Sequence, residues 1–295
     1  MDSHRITLLN DYLRGKFGCK VYKIALNGGF TCPNRDGRIS TGGCIFCSEG
    51  GSGEFAGEPS LSVTDQIEQG KKRVSAKEKD GKYIAYFQAY TGTYAPVERL
   101  RNLYYEAIGH PDIVAISVGT RPDCLPDEVM QLLSELNHIK PVWVELGLQT
   151  IHEKSAAYIR RGYDLSVYDR AVEKLREQSI EVISHMIIGL PGEDISDILA
   201  TVAYICDSGA TGIKLQLLHV LKGTDLEKEY NEGKVRILTE DEYIGILRKC
   251  VEIIPENVII HRLTGDGDKR ILIAPQWSGN KKRVWNRIRN EVLIL

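Results

Sequence analysis

Short apolar, β-branched runs alternate along this chain with segments of helical periodicity. The runs at 22–27, 83–90, 114–120, 142–149, 182–190 and 212–220 are nearly continuous in apolar residues. That is the pattern of strands buried on both faces of a parallel sheet. Helices are predicted between them, over 62–79, 96–109, 126–137, 166–178 and 193–209. Pro96 and Pro126 stand where a first-turn proline is tolerated. Ser166 is the expected N-cap of the fourth helix, and Gly209 the expected C-cap of the fifth. Six β–α units in series predict right-handed crossovers and one parallel sheet. Eight such units close a barrel. The expected fold is therefore α/β, a partial (β/α)6 TIM-like barrel.

The pattern changes after residue 221. A helix (239–254), a short strand (258–264) and a basic helix (280–292) are predicted there. The expected organisation is an N-terminal segment (1–21), the barrel (22–221) and a C-terminal α/β extension (222–295) packed on it. The longest irregular stretch runs from about 27 to 58. It follows the first strand, so it belongs at the C-terminal face, where barrel active sites are built. A loop of that length in a compact domain is usually functional.

Composition narrows the function classes. The chain has 295 residues, 42% hydrophobic and 26% charged, which is ample for a sizeable core. No apolar run approaches the roughly 18 residues of a membrane span. The first residues are charged throughout and lack a signal-peptide core. The expectation is a cytoplasmic protein without membrane association. A formal net charge of −2 gives no whole-molecule attraction to nucleic acid, so an RNA partner would need a local basic patch.

Seven cysteines, an odd number, argue against a disulfide framework. Cys124, Cys206 and Cys250 are scattered and read as small buried hydrophobes. Cys32, Cys44 and Cys47 cluster on the long loop, the last two as a C-x-x-C pair. Glycines at 42, 43, 50 and 51 let the backbone turn sharply around them. Thiolates select soft centres such as zinc or iron–sulfur clusters. Structural zinc takes four closed ligands. Cys19 is the spare thiol, but it precedes the first strand and belongs at the opposite end. Three cysteines on a four-iron cluster leave one iron open. Spacing alone admits both readings.

A resemblance separates them. Residues 23–53, KIALNGGFTCPNRDGRISTGGCIFCSEGGSG, look like the cluster loop of the radical S-adenosylmethionine (SAM) superfamily, with Phe46 as the aromatic before the last cysteine. Then follow FQAYTGTYAP (87–96), VGTRPDCL (118–125), VELGLQT (144–150), IRRGYD (159–164), MIIGLPGE (186–193) and HRLTGDGDKRILIAPQWSGNK (261–281). The ordered set covers nearly the whole chain. It resembles the Elp3-like branch, and within it the stand-alone YhcC/YtqA-type (MnmL-like) family. The resemblance implies a [4Fe–4S] cluster on Cys32, Cys44 and Cys47, with SAM on the open iron. It implies reductive cleavage to a 5′-deoxyadenosyl radical, and an electron donor such as ferredoxin or flavodoxin. Elp3-like enzymes act on the wobble uridine of tRNA, so it implies a tRNA substrate altered at the C5 side chain.

The implied site is carried residue by residue. Gln88, Tyr90 and Thr91 end the second strand, where the superfamily binds the SAM amino group. Thr120 and Arg121 end the third, and Arg121 is a clamp for the SAM carboxylate or a substrate phosphate. Glu145 lies in an otherwise apolar strand and needs a partner, either the SAM ribose or Arg161. Arg161 is by motif the SAM-carboxylate clamp, and Tyr163 stands where relatives usually carry histidine. Gly189 of GLPG turns backbone toward the adenine or is a plain strand-to-helix turn, and Leu217 and Val220 pack on the adenine face or are ordinary core. His261 and Asp266, with Arg262 and Asp268, surround a turn that faces substrate, unless His261 is structural. Lys281, Lys282, Arg283, Arg287 and Arg289, with Trp277 and Trp285, suit either RNA or a solvated helix anchored by its tryptophans. The rival functions are a radical SAM enzyme for a small molecule or peptide, and a zinc-stabilised binding barrel.

Overall fold

The computed structural model describes residues 6–75, 81–265 and 267–293. Seven parallel strands form one curved sheet: β1 (Val21–Leu26), β2 (Lys82–Phe87), β3 (Ile113–Thr120), β4 (Val142–Gln149), β5 (Glu181–Ile188), β6 (Gly212–Leu217) and β8 (Ile259–Arg262). They lie side by side in that order. The crossover helices are α2 (Val63–Ser75), α3 (Val97–Gly109), α4 (Asp127–Asn137), α6 (Leu165–Glu177) and α7 (Ile195–Asp207). The sheet does not close on itself, so the molecule is a half-barrel. All six expected strands and their helices are present. The expected end of the first helix falls partly on 76–80, outside the described residues.

The seventh strand comes from the C-terminal segment. Ile259 and Ile260 of β8 pair in parallel with Gly212 and Ile213 of β6. The Ile260 side chain continues the core outside the sheet, and the pairing satisfies the open edge of β6. The run read as one strand over 212–220 stops at Leu217. Val220–Leu221 (β7) then turns away and pairs antiparallel with β9 (Leu272–Ala274). Three helices carry no strong sequence signal: α1 (Leu9–Phe17), α5 (Glu153–Tyr158) and α8 (Asp225–Asn231). The N-cap of α6 is Asp164, not Ser166. Gly209 lies one residue past the C-cap Ser208, at φ 89°, where a left-handed residue ends a helix.

Period-2 alternation divides the strands between two cores. One set of residues, including Leu26, Phe87, Val118, Val144, Val182 and Leu215, faces the helices. The other faces the barrel interior. At the amino ends of the strands the interior is apolar. Val21, Ile84, Ala115, Trp143 and Ile183 pack there with Leu13 of α1, which plugs that end. Cys19 packs against this cluster, far from the other candidate ligands.

The last helices, α9 (Glu240–Ile253) and α10 (Lys281–Glu291), are joined by ion pairs. Arg283 meets Glu240, and Arg287 meets Asp241 at 2.8 Å. Among the described residues no helix is long and apolar enough to cross a membrane.

Candidate active site

The carboxyl ends of the strands surround one cavity, and Cys32, Cys44 and Cys47 line it together. The loop that carries them is irregular but tied down. Tyr90 N–H donates to Gly51 O at 2.8 Å, and its hydroxyl donates to Glu49 O. Gln88 Nε2 donates to Ser52 O at 2.9 Å. From the other side, Ile45 N–H donates to Ile159 O, and Asn34 Nδ2 donates to Arg160 O at 2.8 Å. Gly51 takes φ 59°, and a Cβ there would enter the Tyr90 ring, so only glycine fits. Arg35 reaches back from the loop. Its Nη2 donates to Cys47 O at 2.9 Å and to Ser48 O, and its guanidinium lies 5.7 Å from the Tyr90 ring centre. Asn34 Nδ2 also reaches Cys44 Sγ at 3.5 Å.

The donor set fits a cluster better than one zinc ion. Ligands on one tetrahedral zinc at about 2.3 Å stand about 3.8 Å apart. Among the described residues the three sulfurs do not lie within 4.8 Å of one another. A multi-iron core spans wider gaps. Burial pushes the Cys44 thiol up to about 11 and raises that of Cys47. A cationic metal centre is what would hold such buried sulfurs as thiolates. Two further atoms await a ligand. Thr91 Oγ1 and Gln149 Oε1 are buried without a hydrogen-bond partner, and both residues line the cavity. A buried unpaired polar atom costs about 1–3 kcal/mol, so two at one cavity point to a polar ligand.

Most of the expected residues converge here. Phe46, Gln88, Tyr90, Thr91, Thr120, Arg121, Glu145 and Arg161 all line the cavity. Thr120 Oγ1 shares a 2.6 Å hydrogen bond with Thr93. Arg121 is paired with Asp123 at 2.8 Å and donates to Arg161 O. Arg161 is buried and donates to Thr150 O at 2.7 Å, Tyr163 O and Glu153 Oε1. Both guanidinium groups flank the Tyr163 ring, at 5.2 and 4.7 Å from its centre. Tyr163, the departure from the relatives' histidine, therefore joins the site.

Other expectations are corrected. Glu145 does not pair with Arg161, and its oxygens are already taken. Oε1 accepts from Lys23 Nζ at 2.6 Å and Ser117 Oγ at 2.7 Å. Oε2 accepts from Lys214 and from His185 Nε2 at 2.8 Å. A fully occupied carboxylate organises the floor of the cavity and has no lone pair left for a ribose. His261 is not substrate-facing. Its ring packs edge-on to Trp143 at 5.7 Å, beside Gly212, near the closed end. Asp266 lies outside the described residues. Gly189 is a strand-end turn at φ 94°, packed by Leu218 and Leu238. Val220 is fully buried in the cluster around β7, with no face to the cavity. Leu217 lines an adjoining cleft instead, which shares Phe46, Gln88, Gln216 and Arg262 with the cysteine cavity. Trp277 anchors the C-terminal segment: its Nε1 donates to Leu238 O and its ring packs on Tyr243. Trp285 stays exposed.

Sequence reasoning missed Lys23, Tyr86, His185, Lys214 and Gln216, while Arg262, expected beside His261, does line the cavity. A signal existed. Lys23, His185, Lys214 and Gln216 each interrupt an apolar strand at an inward position, the argument applied only to Glu145.

A model of the radical SAM superfamily matches residues 34–205, and a radical SAM C-terminal domain model matches 210–293. The chain is 49% identical to YtqA of Bacillus subtilis over 98% of its length and 89% of that protein. It is 26% identical to the tRNA uridine(34) acetyltransferase of Methanocaldococcus jannaschii, over 54% of this chain and 30% of that one. The structure of Methanocaldococcus infernus Elp3 with an N-terminal deletion superposes with a TM-score of 0.67 at 19% identity, covering 92% of this chain and 63% of that chain. With this half-barrel and its three converging cysteines, the chain belongs to the radical SAM superfamily of enzymes, in the Elp3-like stand-alone group that holds YtqA.

Proposed function

We propose that this enzyme cleaves SAM reductively at a [4Fe–4S] cluster on Cys32, Cys44 and Cys47, and that its substrate is the wobble uridine of tRNA, altered at the C5 side chain. The carrying observation is three cavity-facing thiols, too far apart for one zinc ion, beside two unpaired polar atoms. When bound, cluster and SAM would supply a 5′-deoxyadenosyl radical able to abstract a substrate hydrogen. Thr91 and Gln149 would bond the polar end of SAM with the atoms now lacking partners. Arg121 and Arg161, both beside the Tyr163 ring, would present positive charge to a carboxylate. Arg35 and Tyr90 hold the cysteine loop and exclude water from it. The electron would come from a ferredoxin or flavodoxin. The tRNA reading draws on the acetyltransferase relative and on Lys281 and Lys282 at the start of α10.

Anaerobic reconstitution with iron and sulfide tests the chemistry. The expected result is a brown protein that releases 5′-deoxyadenosine from SAM under reductant. A colourless, zinc-loaded protein inert toward SAM overturns it. Mass spectrometry of tRNA nucleosides from a deletion strain tests the substrate. An unchanged wobble-uridine profile removes the RNA reading and leaves a small-molecule or peptide substrate.

A further inference from the structure

Below the cysteines, the cavity floor is a charged layer built from seven strands. Lys214 of β6 is at its centre, 5% exposed, with its Nζ in an ion pair with Glu145 of β4. The same Nζ donates to Tyr86 Oη of β2 at 3.3 Å and stands 4.7 Å from that ring's centre. Lys23 of β1 shares the Glu145 carboxylate at 2.6 Å. Ser117 of β3 and His185 of β5 complete its bonds. Arg262 of β8 lines the same cavity, and His261 lies below. The histidines do not add charge. His185 Nε2 donates to Glu145 while Nδ1 faces Gln216 Nε2 at 3.0 Å, which fixes a neutral tautomer. Burial also holds both rings neutral, bringing His185 down to about 4 and His261 well below its ordinary range. Burial keeps the Tyr86 phenol protonated.

Two lysines, Lys23 and Lys214, thus share the single carboxylate of Glu145. Lys23 is nearer solvent, at 19% exposed. Lys214 is the cation whose deprotonation relieves the excess, and it lines the cavity.

We propose that Lys214 is the acid–base residue of this cavity, passing a proton between the charged floor and the substrate bound above it. The identity of that substrate rests on the tRNA reading above; the role of Lys214 does not. The proton leaves Nζ for a basic atom of the substrate, and the N–H bonding pair stays on Nζ as the lone pair of a neutral amine. Glu145 keeps Lys23 as counter-ion, so no charge is left buried alone. The reverse transfer restores the ammonium, and no further reactant is needed. Burial, with Lys23 and Arg262 adding to it and Glu145 opposing, brings this amine down to about 7. Both forms are then populated near neutral pH, the condition under which acid–base transfer is efficient.

Lys214→Arg keeps the cation and its bond to Glu145 but gives up the transferable proton. In the reconstituted full chain, the readout for this variant is modified tRNA formed per 5′-deoxyadenosine released. Formation of modified tRNA is expected to fall about 10²–10⁴-fold, and the limb of its pH profile near 7 to disappear. Wild-type product formation with an unchanged profile overturns the proposal. If the parent cleaves SAM but modifies no tRNA, the substrate reading fails instead. A second measurement then judges Lys214 without any variant. Carbamylation of the folded chain by cyanate, followed per lysine by mass spectrometry across pH, is expected to show Lys214 half-reactive near 7. Surface lysines are expected to be so only near about 10.4. Ordinary lysine behaviour at position 214 overturns the proposal.

Discussion

Trp143 and Glu145 are two residues apart on β4 and both point into the half-barrel. Their surroundings are opposite. Trp143 is in the apolar plug under α1, against Val21, Ile84, Ala115 and Ile183. Glu145 is one layer higher, between two lysines, a histidine and a serine. The layers even touch, since Lys23 Nζ is 5.4 Å from the Trp143 ring centre. The closed end repeats what any protein core does. The open end collects charges that cost folding energy and would not be there for packing alone. Chemistry belongs at the end the strands point to, and α1 closes the other.

The strongest way to break this contrast is Glu145→Ala. It strips the counter-charge from two lysines, and removing one partner of a buried ion pair costs about 3–5 kcal/mol. Denaturant midpoints should fall accordingly, and SAM cleavage should be lost with the floor. Trp143→Ala should cost a similar or slightly smaller amount, about 3–5 kcal/mol. Yet SAM cleavage per folded molecule should survive, because the plug does not line the cavity. Loss of cleavage in a folded Trp143→Ala protein would mean the two layers are not separate.

The pH response sharpens the contrast further. Burial holds His185 at about 4 against an ordinary 6.5. Between those values the unfolded chain takes up a proton that the folded chain refuses. Stability therefore falls as pH drops through 6.5 toward 4 and gains no further loss from this group below that. Glu145 is held well below its ordinary 4.5: burial opposes its charge, but Lys214, Lys23 and His185 outweigh it. Its contribution is present above 4.5 and is lost as pH falls below it. Chemical denaturation across this range should show both limbs, and His185→Gln should shrink the first to the part that His261 contributes. The smallest effect expected is that of Gly51→Ala. A left-handed non-glycine residue costs about 1–3 kcal/mol, and the added Cβ displaces Tyr90. Global stability should drop by about that amount, with slower iron uptake by the cysteine loop.

Much of this was legible in the amino-acid order. Continuous apolar runs marked six strands because both faces of a parallel sheet are buried. The cysteine loop could be placed at the active end because it follows a strand. Glu145 stood out because a carboxylate in such a run must have a partner. Its partners were not legible. Lys23, Ser117, His185 and Lys214 come from four other strands, and the stagger between neighbouring strands decides which of them reach it. Sequence spacing says nothing of that stagger. His261 failed for the same reason: its strand was read as part of an extension packed on the barrel, and pairing with β6 carried the ring to the closed end. Val220 and Gly189 failed because a strand end and a turn look alike whether they face a cavity or a core.

The sequence by itself determined the order of elements, the three cysteines and the end of the barrel that carries them. Those rest on local rules: side-chain period, turn-forming glycines and thiol chemistry. Only the tertiary structure decided that a seventh strand completes the sheet, that the sulfurs are spaced too widely for one zinc ion, and that Glu145 anchors a layer of charges with Lys214 at its centre. Those depend on strand register and sheet curvature, which bring together residues far apart in the chain.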